Sequence, residues 1–167
     1  MWATRKHSGF TIVELLIVVV VIGILAAIVI VAYNGITNSA NDSAVKSDLA
    51  NAAKALEIYR VNEGAYPASV SQVGAMTTPI KVSTQAYQKA PLYNFAYCWG
   101  SSGSSYAIAA RSSSGNDFYV SSDSGGVQSF AGWAGVINTI CVTNLSQSAG
   151  GWGYRGDTAT WQSWIST

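Results

Sequence analysis

Residues 9–14 read Gly9-Phe10-Thr11-Ile12-Val13-Glu14, and residues 15–33 follow as LLIVVVVIGILAAIVIVAY, nineteen residues without a charge. At about 1.5 Å rise per residue the run spans about 28 Å as a helix, close to the ~30 Å hydrocarbon core of a bilayer. It is apolar on every side, which excludes a surface amphipathic helix. A secretory signal peptide would have a shorter apolar core ending at a small-residue cut. Here the run continues straight past Gly23-Ile24-Leu25-Ala26-Ala27, so a membrane span fits better. Gly23 and Ala27 form a small-xxx-small pair of the kind that lets helices approach closely, a spacing equally at home in an ordinary helix. Arg5, Lys6 and His7 precede the run. Cationic flanks stay in the cytoplasm, which would put residues 34–167 outside. Glu14 stands at the edge of the span. It is either an interfacial carboxylate reaching the headgroups or a charge that needs a cationic partner inside an assembly.

The rest of the composition narrows the function. The 167 residues carry 9 Lys+Arg and 8 Asp+Glu, and only 10% are charged, against about 25% in ordinary soluble domains. With 49% apolar residues the chain is not intrinsically disordered. The balanced charge argues against binding nucleic acid by phosphate neutralisation. One histidine, His7, and two cysteines leave little for histidine catalysis or a Cys/His zinc site.

Taken in order, the short basic leader, Gly9, Phe10, and a glutamate at the fifth position from Phe10 resemble the N-terminal signature of type IV prepilins and pseudopilins over residues 5–33. The resemblance implies that a prepilin peptidase cuts between Gly9 and Phe10 and N-methylates the new Phe10 amine. It also implies that Glu14 pairs with the Phe10 amine of a neighbouring subunit during filament assembly. The chemistry agrees, because the cut creates an ammonium beside a carboxylate that is otherwise costly to bury. The processed chain would keep 158 residues with side-chain charge 7 − 8 = −1 and no histidine, so no Ser-His-Asp or Cys-His arrangement could form. Many family members carry a proline where this chain has Val31. Without it, Gly23 and Gly35 are the weak points of the helix, each costing about 1 kcal/mol relative to alanine.

Beyond the span, Val45, Leu49, Ala52, Leu56 and Tyr59 recur at spacings of four, three, four and three, one apolar stripe on a helix. No proline interrupts residues 10–62, so one helix of about 80 Å is predicted. Its first half would lie in the membrane or filament core, and its second half would pack on a head. Gly64 and Pro67 end it. The stretch Asn62-Glu63-Gly64-Ala65-Tyr66-Pro67 also resembles the helix-to-loop junction of pilins and major pseudopilins. A short helix is expected between Ser69 and Met76 within a connecting loop.

Residues 92–167 hold 11 of the 16 glycines, five of the six tryptophans and five charges. Strands are predicted at 92–99, 105–111, 117–122, 127–130 and 136–143, separated by Gly/Ser/Asn clusters at 100–104, 112–116 and 123–126. One face of this antiparallel meander would pack on the helix stripe, with 144–167 as a loop or short strand over a sheet edge. Cys98 and Cys141 fall in two predicted strands. Outside the cytoplasm they would pair, closing a loop for roughly 4 kcal/mol. The resemblance supports this pairing, since many pilins staple their C-terminal region with a disulfide. Two buried free thiols is the alternative.

Other patterns carry less. Gly151-Trp-Gly153-Tyr-Arg-Gly156 fits G-x-G-x-x-G but lies outside any βαβ unit. Asp117, Asp123 and Asp157 could supply oxygen ligands to calcium, although Asp123-Ser124-Gly125-Gly126 reads as a turn. Trp133, Trp152, Trp161 and Trp164 are core or interface anchors, or a platform for sugars or bases. Arg111 and Arg155 are too few for a DNA groove.

The expected fold is therefore the α+β pilin type, a long N-terminal helix packed on a C-terminal antiparallel sheet. The expected segments are a leader at 1–9, the helix at 10–62 with its span at 15–33, an αβ-loop at 63–91 and a β-sheet head at 92–167. The expected role is a non-enzymatic subunit of a type IV pilus-like filament serving adhesion, motility or DNA uptake, with no cofactor and no metal. Its partners would be identical subunits, prepilin peptidase, the assembly machinery with its minor pilins, and the membrane before assembly, with no specific nucleic acid. The rival readings are a pseudopilin of a type II secretion or competence apparatus, a minor tip adhesin with a glycan-binding Trp-rich head, and a membrane-anchored surface protein that does not polymerise.

Overall fold

The computed structural model describes residues 9–89 and 93–167. The basic flank Arg5–His7 and Leu92, first residue of a predicted strand, lie outside the described residues. In chain order the elements are α1 (Ile12–Glu63), α2 (Val70–Gly74), β1 (Ile80–Lys81), β2 (Phe95–Trp99), β3 (Tyr106–Arg111), β4 (Asp117–Ser121), β5 (Gln128–Ser129), a wide helical segment (Thr139–Asn144), β6 (Ala149–Arg155), β7 (Thr160–Trp161) and β8 (Ile165–Ser166).

Helix α1 runs 52 residues, unbroken through Gly23 and Gly35. The chain divides into two compact units at Thr37/Asn38. In the first, every described residue is exposed. In the second, Val45, Leu49, Ala52, Ala55 and Leu56 are buried, the predicted stripe plus Ala55, with Tyr59 half-buried against the same core. The helix stops at Gly64, whose φ of +82° is the left-handed value that favours glycine. The Gly64 N–H still donates to the Arg60 carbonyl at 2.8 Å. Beyond it, α2 is capped by Ser69, whose side chain accepts from the Gln72 N–H.

The main sheet has the order β5-β4-β3-β2-β6-β7, antiparallel throughout. Period-two alternation sorts its side chains. Phe95 and Tyr97 of β2, Ile108 of β3, and Phe118 and Val120 of β4 join the α1 stripe in one core. Ala96, Cys98, Ala107 and Ala109 point the other way into a second, smaller core with Ile140 and Cys141. These small residues leave room for the segment 130–145 to lie on the outer sheet face. The sheet is thus covered on both sides, by a helix and by a tied-down loop.

One sequence expectation is corrected here and one alternative is decided. Residues 136–143 do not form a strand. Thr139–Asn144 is helical, its Leu145 N–H bonding to the Ile140 carbonyl at 3.0 Å. Its Ile140 and Cys141, with Ile137 just before it, pack on the small-residue face of the sheet, so β-type composition here reflects burial against the sheet rather than pairing within it. Of the loop or short strand expected over a sheet edge at 144–167, the structure has the strand. Its β6 pairs with β2, placing Cys98 opposite Gly150, and glycines made that strand hard to read. A Cβ at Gly150 would lie 2.2 Å from Cys141 Sγ, and one at Gly153 would lie 2.7 Å from the Phe95 ring. These glycines admit the disulfide and an aromatic ring beside the sheet backbone. The chain's end is held by β8, parallel to β1 with Ile80 opposite Ile165, and by the buried Trp164.

Candidate assembly and processing segment

Gly9 and Phe10 precede the first turn of α1 in irregular backbone, and Phe10 is 83% exposed. A Cβ on Gly9 would meet nothing within 4 Å. Among the described residues nothing demands glycine there.

Thr11 and Glu14 close a reciprocal capping box at the head of α1. The Thr11 N–H and hydroxyl each donate to Glu14 Oε2 at 2.8 Å, and the Glu14 N–H donates to Thr11 Oγ1 at 3.2 Å. The box satisfies backbone donors that a helix start leaves open, and it places a carboxylate at the positive end of the helix dipole. Among the described residues, no cation lies within ion-pair range of Glu14. The second carboxylate oxygen, Oε1, has no hydrogen-bond partner among the described residues. Sequence reading missed Thr11, although T-x-x-E before an apolar run is itself a helix-start signature.

Behind this head lies the apolar run. Leu15, Ile17, Val20, Ile24, Leu25, Ile28 and Ile30 each expose half or more of their surface. Fully burying one such side chain stabilises by about 1.5–3 kcal/mol, so in water the run would forgo on the order of tens of kcal/mol. It is the one helix in the described chain apolar and long enough to cross a membrane.

The other candidates resolve differently. Cys98 and Cys141 are joined by a disulfide with Cα atoms 5.3 Å apart, and both residues are fully buried. It ties a strand to the helical segment rather than strand to strand. Asp117 is engaged in a bidentate pair with Arg111 at 2.6 and 2.8 Å, which also holds the guanidinium pKa above its usual value. Asp157 pairs with Arg155, and Asp123 lies in an exposed turn. Among the described residues no group of three His, Cys, Asp or Glu could hold a metal. The glycine triplet at 151–156 belongs to β6 and the turn after it, with no helix following.

The tryptophans are packing residues. Trp164 is buried against Phe95 and Tyr97, and Trp161 packs edge-on to Tyr87 and Tyr154 at 5.3 Å. Trp152 stacks on Tyr93 at 4.6 Å and meets Trp133 at 6.0 Å. Trp133 in turn sits under the Arg111 guanidinium.

Comparison with known proteins converges on the same segment. The family described as "Prokaryotic N-terminal methylation motif" matches residues 4–30. The type IV wide pilus major component PilA4 of Thermus thermophilus is 33% identical over 114 residues, covering 66% of this chain and 86% of that protein. The chain belongs to the type IV pilin family. Core protein G of the type II secretion system is also related, at 36% identity over 72 residues in Pseudomonas aeruginosa and 36% over 67 in Escherichia coli. Those matches cover 43% and 40% of this chain, and it spans about half the length of these secretion relatives. No solved structure matches. In this pilin-family chain the matched motif, residues 4–30, takes in Glu14 and most of the exposed apolar run.

Proposed function

We propose that this pilin-family chain is a structural, non-enzymatic subunit of a type IV pilus-like filament. The apolar half of α1 holds the unassembled chain in the membrane with residues 34–167 outside. Prepilin peptidase releases residues 1–9, and the same enzyme methylates the Phe10 amine. Packing of α1 helices from identical subunits then buries the run. Glu14 Oε1 accepts from the Phe10 ammonium of a neighbour, giving each buried charge a counter-charge. The observation that carries this reading is the exposed apolar run headed by a carboxylate that has no cation beside it among the described residues, next to a head with a closed core. The pilus is favoured over a secretion pseudopilus because similarity to the pilus component extends over 66% of the chain, against 43% for the secretion protein.

The test is Glu14→Ala in cells. Membrane insertion of the chain is expected to persist while sheared surface filaments disappear. Filaments at the normal level in that variant would refute the pairing.

A further inference from the structure

The turn between β3 and β4, Ser112-Ser113-Ser114-Gly115-Asn116, reads in sequence as a flexible spacer. In the structure it is fastened on several sides. The Ser113 N–H donates to the Ala86 carbonyl at 2.8 Å, and the Ser112 N–H to the Asn116 carbonyl at 2.9 Å. Gly115 takes a φ of +92° to close the turn. The turn also reaches α1. The Ser114 hydroxyl donates to Asp42 Oδ1, and Asn116 Nδ2 donates to Asp42 Oδ2 at 2.7 Å. Both carboxylate oxygens of one helical residue are therefore held by a turn more than seventy residues away.

The position of Asp42 gives this contact its meaning. It is the most N-terminal α1 side chain hydrogen-bonded to the sheet unit among the described residues, three residues before the first buried stripe residue, Val45. Before it stands Asn34-Gly-Ile-Thr-Asn-Ser-Ala-Asn41, seven of eight residues poor or middling helix formers. None of the eight is buried. Burial alone would raise the Asp42 carboxyl pKa. The bonds from Ser114, Ser112 and Asn116 and the charge of Lys46 together outweigh it and hold it below the usual carboxylate range.

We propose that the Ser112–Asn116 turn is a latch on Asp42 that stops opening of the weak 34–41 segment from spreading into the head-packed part of α1. Carboxylate hydrogen bonds are the stronger kind, and a latch at the last unsupported turn acts where the helix would otherwise fray. In the unassembled chain it fixes how much of α1 belongs to the head.

The test is hydrogen–deuterium exchange by mass spectrometry on the full-length chain in detergent micelles. It compares wild type, Asp42→Ala, Ser114→Ala with Asn116→Ala, and all three substitutions together. Asp42→Ala should speed exchange of amides 38–46 by about tenfold and leave amides 49–56 unchanged. The turn variant should reproduce that effect, and the combined variant should add little to either alone. Three results would overturn the latch: unchanged exchange at 38–46, equal acceleration at 49–56, or additive effects of the helix and turn substitutions. Every readout is taken before assembly, so its failure leaves the filament reading standing, and failure of the filament reading leaves the latch intact.

Discussion

The two parts of α1 share one backbone and obey opposite rules. From residue 15 to 33 the helix is apolar all round and exposed all round. From Asn38 on it is polar except for a stripe, and Val45, Leu49 and Leu56 on that stripe are fully buried. The second part has found its partner, the inner face of the sheet, within its own chain. The first buries none of its residues among the described ones, and under the proposed function lipid or other helices would cover it. A single helix thus divides the free energy of folding from that of insertion and assembly.

The contrast is sharpest in paired core substitutions. Leu49→Ala should lower head stability by about 2–5 kcal/mol, read by chemical denaturation in detergent. Leu25→Ala should leave that transition where it is. Equal losses from the two would erase the distinction between the halves. Next in size is the tie on the outer sheet face. Replacing both Cys98 and Cys141 with alanine should cost about 2–4 kcal/mol of head stability, with filament formation retained at permissive temperature. Smaller is Gly150→Ala, whose new methyl would fall on Cys141 Sγ. A loss of about 1–3 kcal/mol is expected, and it should shrink in the disulfide-free background. No change on that background would place the strain elsewhere in β6.

The smallest effect is the pH dependence of Asp42. Its folded pKa lies below the unfolded value, so its contribution is complete above about pH 4. That contribution is lost as pH falls through the folded value. Asp117 is tied to Arg111. Asp42→Ala should therefore flatten the acid limb of the stability curve below pH 4 and leave neutral-to-alkaline behaviour unaltered.

Much of this was legible in the residues. The uncharged run from Leu15 to Tyr33, the four-three spacing of the stripe and the Gly64 stop each reflect a local rule, and α1 and the strands from Phe95 to Ser121 follow them. The failures came where burial, not periodicity, selected the residues. Ile137, Ile140 and Cys141 look like strand, but a helical turn lying on a small-residue sheet face needs the same apolar types. Strand β6 was hidden because Gly150 and Gly153 were chosen for what they leave out. At the processing segment, Gly9, Phe10 and Glu14 stood out by their order, whereas Thr11 became visible only once its hydroxyl and N–H were seen on the Glu14 carboxylate. The serine-rich turn was legible as a separator of strands, but its hold on Asp42 was not, because that partner lies more than seventy residues away.

The most direct test is to shear filaments from cells, pellet them, and measure the N-terminus of this chain in the pellet by mass spectrometry. A chain beginning at methylated Phe10 is predicted. A chain absent from the pellet, or found in membranes with Arg5–Gly9 still attached, would contradict the claim that the exposed half of α1 exists for assembly after processing.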